Sequence, residues 1–305
     1  GMLLYKNRPH SYRELPWRVA EVGLVHRHEL SGVLSGLFRV RAFHQDDAHI
    51  YMMPDQIEAE ILGVLRLVER LYGVFGLGFH LELSTRPEKS IGTHEEWETT
   101  TQGLTSALNT YGQEYKLNEG DGAFYGPKID VHIKDALGRT WQCGTIQLDM
   151  SLPERFNLSY IDKNNEKRRP IMIHRVIYGS IERFFGILIE HFAGKFPLWM
   201  APVQTVVLPI NDYLVTYSND IKIKLEKAGV RTEVDHRTES LNKKVRDAQL
   251  TNIPLILTIG NKEKASGNLS VRTLDGNVRY GVTHEEFLTR ILSHIRERKL
   301  DLEIF

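Results

Sequence analysis

The order of apolar and polar positions resolves the chain into short strands alternating with longer helices. From Phe38 to Ile50 the two kinds of residue alternate with a period of two, as in a strand whose faces carry different chemistry. Arg39, Arg41, Phe43, Gln45, Asp47 and His49 are expected on one face, with Val40, Ala42, His44, Asp46, Ala48 and Ile50 on the other. An earlier strand through His26 is joined to it by a loop broken at Ser31-Gly32 and Ser35-Gly36. After Pro54-Asp55 the period becomes helical, and Ile57, Ile61, Val64, Leu65, Val68, Leu71 and Tyr72 form one stripe that stops at Gly73, Gly76 and Gly78. A strand is expected at His80 to Ser84, a helix from Glu95 to Tyr111, and a hairpin whose first strand is Ile129 to Lys134. On its second strand Gln142 and Gln147 differ in parity, so both face one pocket only if a bulge falls at Gly144.

Pro170 to His174 reads as a buried strand leading into a helix that reaches His191. Spacings of three and four place Gly179, Ser180, Arg183 and Gly186 on one helical face, where small residues around an arginine leave room for a flat ligand. Pro197 to Pro202 marks the expected domain junction, which gives domains 1–200 and 201–305. Beyond it, strands are expected at Thr205 to Ile210, Val230 to Asp235 and Leu255 to Gly260, with helices at Asp212 to Ala228 and Leu241 to Leu250. A hairpin from Asn268 to Val282 and a last helix opened by the capping box Thr283-His284-Glu285-Glu286 complete the chain. Such alternation predicts a mostly parallel sheet with helices on both faces.

A length of 305 residues suggests about two domains, and 41% hydrophobic with 26% charged residues is ordinary for a soluble globular chain. Formal charge is zero, so contact with nucleic acid depends on local arrangement and not on a global basic field. The single cysteine, Cys143, excludes an internal disulfide framework and a cysteine-only zinc site, and points to an intracellular protein. No apolar run is long enough to span a membrane, and the first residues do not read as a signal peptide. The charge that changes the picture is local. Residues 26–50 set arginines, carboxylates and histidines among apolar neighbours, and ions placed there need charged partners because an unpaired buried charge is very costly. Paired guanidiniums suit phosphate oxygens, and Phe43, Gln45, Asp47 and His49 add an aromatic face, an amide, a carboxylate and an imidazole. The competing reading is a solvated edge hairpin with surface ion pairs; the ordering of groups by type along one face favours a polyanion with an amine or metal beside it.

The runs His26-Arg27-His28-Glu29, Arg39-Val40-Arg41-Ala42-Phe43 and Gln45-Asp46-Asp47-Ala48-His49 resemble motif 2 of the threonyl-tRNA synthetases, a family of class II aminoacyl-tRNA synthetases. Gly122 to Lys128 with Gln142 to Asp149 resembles that family's substrate strands, and His174-Arg175 with Gly179 to Phe184 resembles its motif 3. Asp235 to Glu239 with Lys243 to Arg246 resembles the anticodon-binding domain shared with the histidyl and prolyl enzymes. The likeness runs essentially from end to end. It implies an α+β fold, a class II synthetase antiparallel sheet flanked by helices and followed by an α/β anticodon-binding domain. It also implies a cytoplasmic or organellar threonine–tRNA ligase that activates threonine with ATP and transfers it to tRNA(Thr).

The same resemblance implies roles. Arg27 bridges the threonine carboxylate and the α-phosphate of ATP; Arg39 and Arg183 hold the outer phosphates, with Arg183 also covering the adenine opposite Phe43. Glu29 reads the adenine amino edge, Gln142 and Ser180 complete the ATP pocket, and Lys128 follows the α-phosphate, making Arg27, Lys128 and Arg183 the catalytic set. Gln45, Asp47 and Tyr125 receive threonine. Gln147 and Tyr125 stand near the tRNA terminus, and Lys243, Lys244 and Arg246 are candidates for phosphate contact. Mg²⁺ accompanies ATP, and Zn²⁺ is held by His49, His174 and a cysteine. That cysteine and motif 1, which forms the family's homodimer interface, have no counterpart here, so a two-donor zinc site and a disturbed dimer are expected; Cys143 aligns with a residue that is not a ligand. The alternative function is a non-catalytic tRNA- or nucleotide-binding fragment or paralogue. A zinc hydrolase built on His49, His174 and Asp47 lacks a His-Glu-x-x-His arrangement.

Overall fold

The structure, a computed structural model, describes residues 1–305 and divides into two compact units, Gly1–Leu188 and Ile189–Phe305. The first opens with helix α1 (Met2–Lys6), the long pair β1 (Trp17–His26) and β2 (Ala42–Met52), then α2 (Ile57–Gly73), β3 (Phe79–Ser84), α3 (His94–Tyr111) and β4 (Tyr115–Asn118). It continues through β5 (Lys128–Lys134), β6 (Thr140–Asp149), α4 (Ser151–Arg155), the two-residue strands β7 (Tyr160–Ile161) and β8 (Lys167–Arg168), β9 (Ile171–Val176) and α5 (Ile181–His191). Seven strands form one sheet in the order β1-β2-β9-β6-β5-β3-β4, antiparallel throughout except between β3 and β4.

Register decides which side of this sheet does chemistry. Lys128 lies opposite Gln147, Gln147 opposite His174, and His174 opposite His49, so four polar side chains from four strands stand level on one face. Their neighbours Ile129, Ile146, Ile173 and Ile50 therefore project to the other side, where each is buried. That side is covered by helices: α2 buries the stripe Ile57, Ile61, Val64, Leu65, Val68 and Tyr72, and α3 buries Trp97, Leu104 and Leu108. Each such side chain contributes roughly 1.5–3 kcal/mol when taken out of water. Thr93 and Glu96 complete a reciprocal capping box on α3, which explains why a helix with few apolar residues starts cleanly.

Three local expectations are corrected. The strand carrying the functional row begins at Ala42, so Arg39 and Arg41 precede it: Arg39 Nε donates to the Glu29 carboxylate at 3.2 Å and Arg41 Nε to the Glu29 carbonyl at 2.9 Å, which holds both in the loop. Gly179 is not helical, because α5 begins at Ile181 and Gly179 has φ +70°. Gly186 leaves no slot for a flat ligand either, since a Cβ there would meet the Phe38 ring at 3.1 Å. The parity problem of Gln142 and Gln147 is solved by a bulge: Val131 pairs with Gly144 but His132 with Gln142, which makes Cys143 the extra residue beside Gly144.

The second unit contains β10 (Thr205–Pro209), α6 (Val215–Lys227), β11 (Thr232–Val234), α7 (Leu241–Leu250), β12 (Leu255–Ile259), α8 (Asn261–Ser266), β13 (Asn268–Thr273), β14 (Val278–Thr283) and α9 (His284–Glu297). Its sheet runs β11-β10-β12-β13-β14, with β10 parallel to both neighbours and the remaining pairs antiparallel. The sheet is thus mixed and not mostly parallel, because the single short helix α8 reverses the chain between β12 and β13, which pair antiparallel. Val207, Leu257, Leu269, Val271, Phe287 and Ile291 make its core. Only half of the last capping box forms: Thr283 Oγ1 accepts from the Glu286 N–H at 3.1 Å, while the Glu286 carboxylate engages Arg290. No helix in the chain is long and apolar enough to cross a membrane.

Candidate active site

Three arginines from separate segments meet at a cavity of about 130 Å³ in the first unit, lined also by Glu29, Phe38, Phe43, Gln45, Gln142, Cys143 and Ser180. Arg27 leaves the end of β1 and lays its guanidinium over the Phe43 ring, 5.1 Å from its centroid. Arg39 reaches the same space from the loop. Arg183, from α5, donates through Nε to the Phe38 carbonyl at 2.8 Å and through Nη1 to the Gln142 carbonyl at 3.0 Å. Burial, reinforced by the charges of Arg27 and Arg39, pulls Arg183 below the ordinary arginine range. Three cations held this close favour an anion with several oxygens, which relieves their mutual repulsion.

Within this cavity one expected contact differs. Phe43 is only 5% exposed and is covered by Arg27, so its ring is not an open base-stacking surface. Arg183 lies over Trp141 at 5.4 Å, held there by its hydrogen bonds to Phe38 and Gln142, and shares the lining of the cavity with Phe43. Ser180 accepts from the Arg183 N–H at 3.2 Å and so caps the helix that carries that arginine. Glu29 faces the cavity while paired with Arg39.

Beside the cavity the level row of polar groups continues. Lys128 Nζ lies 2.8 Å from Asp130 and 3.5 Å from Asp121. Tyr125 donates its hydroxyl to Gln147 Oε1, and burial with the carboxylates of Asp149 and Asp47 pushes its own ionisation up to about 12, so it stays a hydroxyl donor at neutral pH. His49 and His174 meet edge to face with ring centroids 4.8 Å apart. His174 Nε2 is bonded to Asp149 at 2.9 Å, and Asp47 stands 3.8 Å from His49 Nδ1. The chain's first residue, Gly1, packs against the His49 ring.

Zinc needs more than this pair supplies. A stable protein site offers three or four His, Cys, Asp or Glu donors around one point, and no group of three or more converges anywhere in the chain. Cys143 is not a substitute: it sits at the bulge, and burial pushes its thiol up to about 12. Its electrostatic neighbours are Arg183 and Asp46, not the histidines. Cys143→Ser is therefore expected to leave metal content after dialysis unchanged, as read by elemental analysis.

Lys244, expected to meet phosphate, is 4% exposed and donates to the carbonyls of Asp235 and Pro209, so it buttresses the second unit and is withdrawn from solvent. Lys243 pairs with Glu239 on the surface, and Arg246 is exposed. In the first unit His132 has both ring nitrogens buried without hydrogen-bond partners, stacked 5.1 Å from His80 and 3.6 Å from Glu82. Burial holds its proton affinity below the ordinary histidine range; Glu82 and Asp130 oppose that shift, and His80 and Lys128 add to it. A depressed value in the folded state means that the unfolded chain binds more protons, so stability falls as pH drops through about 6.5. His132→Asn is expected to flatten the fall in melting temperature between pH 7.5 and 5.5; identical slopes would contradict this.

Sequence reasoning missed Asp130, Asp149, Asp46 and Trp141. Asp130 and Asp149 are 2% and 0% exposed and hold Lys128 and His174. Asp46 accepts from the N–H groups of Ile177 and Tyr178 at 2.8 and 2.9 Å, which fastens the turn before α5 to β2. The available signal was a carboxylate amid buried strand residues.

An antiparallel sheet with helices on one side and arginines converging on the other, followed by a mixed α/β unit, defines a class II aminoacyl-tRNA synthetase core with an appended domain. The chain matches the tRNA synthetase class II core domain (G, H, P, S and T) over residues 2–192 and the anticodon binding domain over residues 204–294. It is 71% identical over 304 residues to the threonine–tRNA ligase of Desulforapulum autotrophicum and 72% identical over 298 residues to that of Desulfosudis oleivorans. Those alignments cover 100% and 98% of this chain but 48% and 47% of the relatives, so the chain spans about half their length. Among solved structures, the RNA binding domain of threonyl-tRNA synthetase from Cryptosporidium parvum superposes with a TM-score of 0.89 at 40% identity, covering 100% of this chain and 76% of that one. The chain belongs to the threonyl-tRNA synthetase family.

Proposed function

We propose that this chain carries the catalytic core, residues 1–200, and the anticodon-binding domain, residues 201–305, of a cytoplasmic threonine–tRNA ligase. The observation that carries the reading is the convergence of Arg27, Arg39 and Arg183 on one cavity, with Lys128, Tyr125, Gln147 and the histidine pair on the same sheet face. ATP enters with Mg²⁺, its outer phosphates on Arg39 and Arg183. Binding displaces the Arg27 guanidinium from Phe43 so that it reaches the α-phosphate, and Glu29, Gln142 and Ser180 surround the base.

A carboxylate oxygen of threonine then attacks the α-phosphorus; a phosphorus–oxygen bond forms, the bond to the β-phosphate bridge breaks, and pyrophosphate leaves. No side-chain nucleophile takes part. Arg27, Arg183 and Lys128 act by orienting two anions and stabilising the charge of the phosphorane. Gln45, Asp47 and Tyr125 receive the amino acid. In the second step a terminal hydroxyl of tRNA(Thr) attacks the adenylate carbonyl near Gln147 and AMP leaves, while Lys243 and Arg246 meet tRNA phosphate. His49 and His174 would be two of the donors for Zn²⁺, which when bound takes up the amino and hydroxyl groups of threonine. These two donors do not complete a metal set, and no step above depends on it.

Threonine-dependent ATP–pyrophosphate exchange tests this directly. The expected result is exchange with threonine, weaker exchange with serine and almost none with valine, whose missing hydroxyl leaves Asp47 unsatisfied. ATP binding without exchange for any amino acid would instead make the chain a nucleotide-binding module, and no ATP binding at all would overturn both readings.

A further inference from the structure

We infer that Asp130 is a positioning residue: it sets the Lys128 ammonium and the Gln142 amide side by side at the edge of the nucleotide cavity before the phosphates arrive. The inference rests on the reading above and adds a residue to it. Asp130 lies on β5, 2% exposed, in the row of side chains that faces the cavity. Four donors converge on its carboxylate. Oδ2 accepts from Lys128 Nζ at 2.8 Å and from Ser84 Oγ at 3.1 Å; Oδ1 accepts from Gln142 Nε2 and, at 3.4 Å, from Thr145 Oγ1. Gln142 and Thr145 both line the cavity. One carboxylate therefore ties a lysine to two cavity walls across three strands, β3, β5 and β6.

A structural role alone fits this arrangement less well. A buried ion pair is weak evidence for stability, since apolar residues of similar volume hold a fold as well or better. What the pair does supply is geometry. Lysine is a point charge on a flexible stem, and its ammonium needs a fixed counter-charge to stay in one place. Asp130, buried where Asp121 at 3.5 Å is exposed, provides that counter-charge from the same sheet face and leaves an ammonium proton for a phosphate oxygen. Its second carboxylate oxygen fixes the Gln142 amide, whose main-chain carbonyl in turn accepts from Arg183. Donors arranged in advance cost no reorganisation when charge develops, which is how such contacts accelerate phosphoryl-type transfer.

The test is a double-substitution cycle in the whole chain, with affinity for Mg·ATP read by calorimetry alongside exchange kinetics. Asp130→Asn keeps the volume and one acceptor but removes the charge, and is expected to lower kcat/KM for ATP by about 30-fold with the KM for threonine unchanged. Lys128→Ala is expected to do at least as much. Combined, the two should be no worse than Lys128→Ala alone to within about threefold, because the carboxylate acts through the lysine. Ser84→Ala removes only one of the four donors and should weaken ATP binding about threefold, again without further effect once Lys128 is gone. Should Asp130→Asn fail to fold by circular dichroism, the Ser84 and Lys128 pair gives the same coupling. Additive losses in either cycle, or an Asp130→Asn chain that binds ATP normally, overturn the positioning role and leave the proposed function intact. An unsubstituted chain that binds no ATP overturns both.

Discussion

Arg183→Ala lowers threonine-dependent ATP–pyrophosphate exchange by about a thousandfold or more, the largest effect expected of any single substitution here. The reason lies in how many elements one guanidinium joins. It is the cation from α5 at the cavity, it donates to Phe38 in the loop and to Gln142 on β6, and it packs on Trp141. Removing it deletes a phosphate contact and frees the loop that presents Arg39. Arg183→Lys should recover little, because an ammonium cannot make the two bonds at fixed angles while facing phosphate. Exchange rates and ATP affinity for both variants give the answer; an alanine variant within tenfold of the unsubstituted chain would remove Arg183 from the mechanism.

Gly179→Ala is expected to lower the stability of the first unit by about 3 kcal/mol or more, and to carry the nucleotide site with it. Two costs combine. The residue has φ +70°, where a side chain is strained, and a Cβ would stand 2.4 Å from the Cys143 carbonyl oxygen, which belongs to backbone and cannot swing aside. Since Gly179 leads directly into Ser180 and Arg183, any shift that relieves the clash moves the helix start. Gly138→Ala separates the two costs: it has φ +78° with nothing within 4 Å, so only backbone strain applies and a loss of about 1 kcal/mol is expected. Thermal unfolding of both variants, with ATP affinity measured on each, decides the matter; equal losses would show that the close approach to Cys143 is unimportant.

Much of this was legible along the chain because it is local. The helical stripe of α2, the hairpin at Asp135 to Arg139, the strand ending at His174 and the stop at Gly229 follow from periodicity and turn residues alone. The row of aromatic, amide, carboxylate and imidazole groups along β2 was also present in the order of residues, since Phe43, Gln45, Asp47 and His49 do share a face of that strand. Periodicity misleads where a side chain answers to a partner far away in sequence. Arg39 and Arg41 continue the alternation on paper, yet Glu29 bends their segment out of the strand. Gly179 and Gly186 have helical spacing, yet one is a left-handed turn against Cys143 and the other a seat for Phe38. Lys244 reads as a surface cation until its helix packs against β10 and turns it inward.

The sequence by itself determined which stretches are strands and helices, which residues carry charge, and the family whose motifs they repeat, because those are properties of neighbours within a few positions. Only the tertiary structure decided that Arg27, Arg39 and Arg183 meet, that Asp130 and Asp149 hold Lys128 and His174, and that the His49 and His174 rings stand edge to face. Those outcomes depend on strand register and on competition for buried partners, and a charge finds its partner only once the sheet has brought distant strands level.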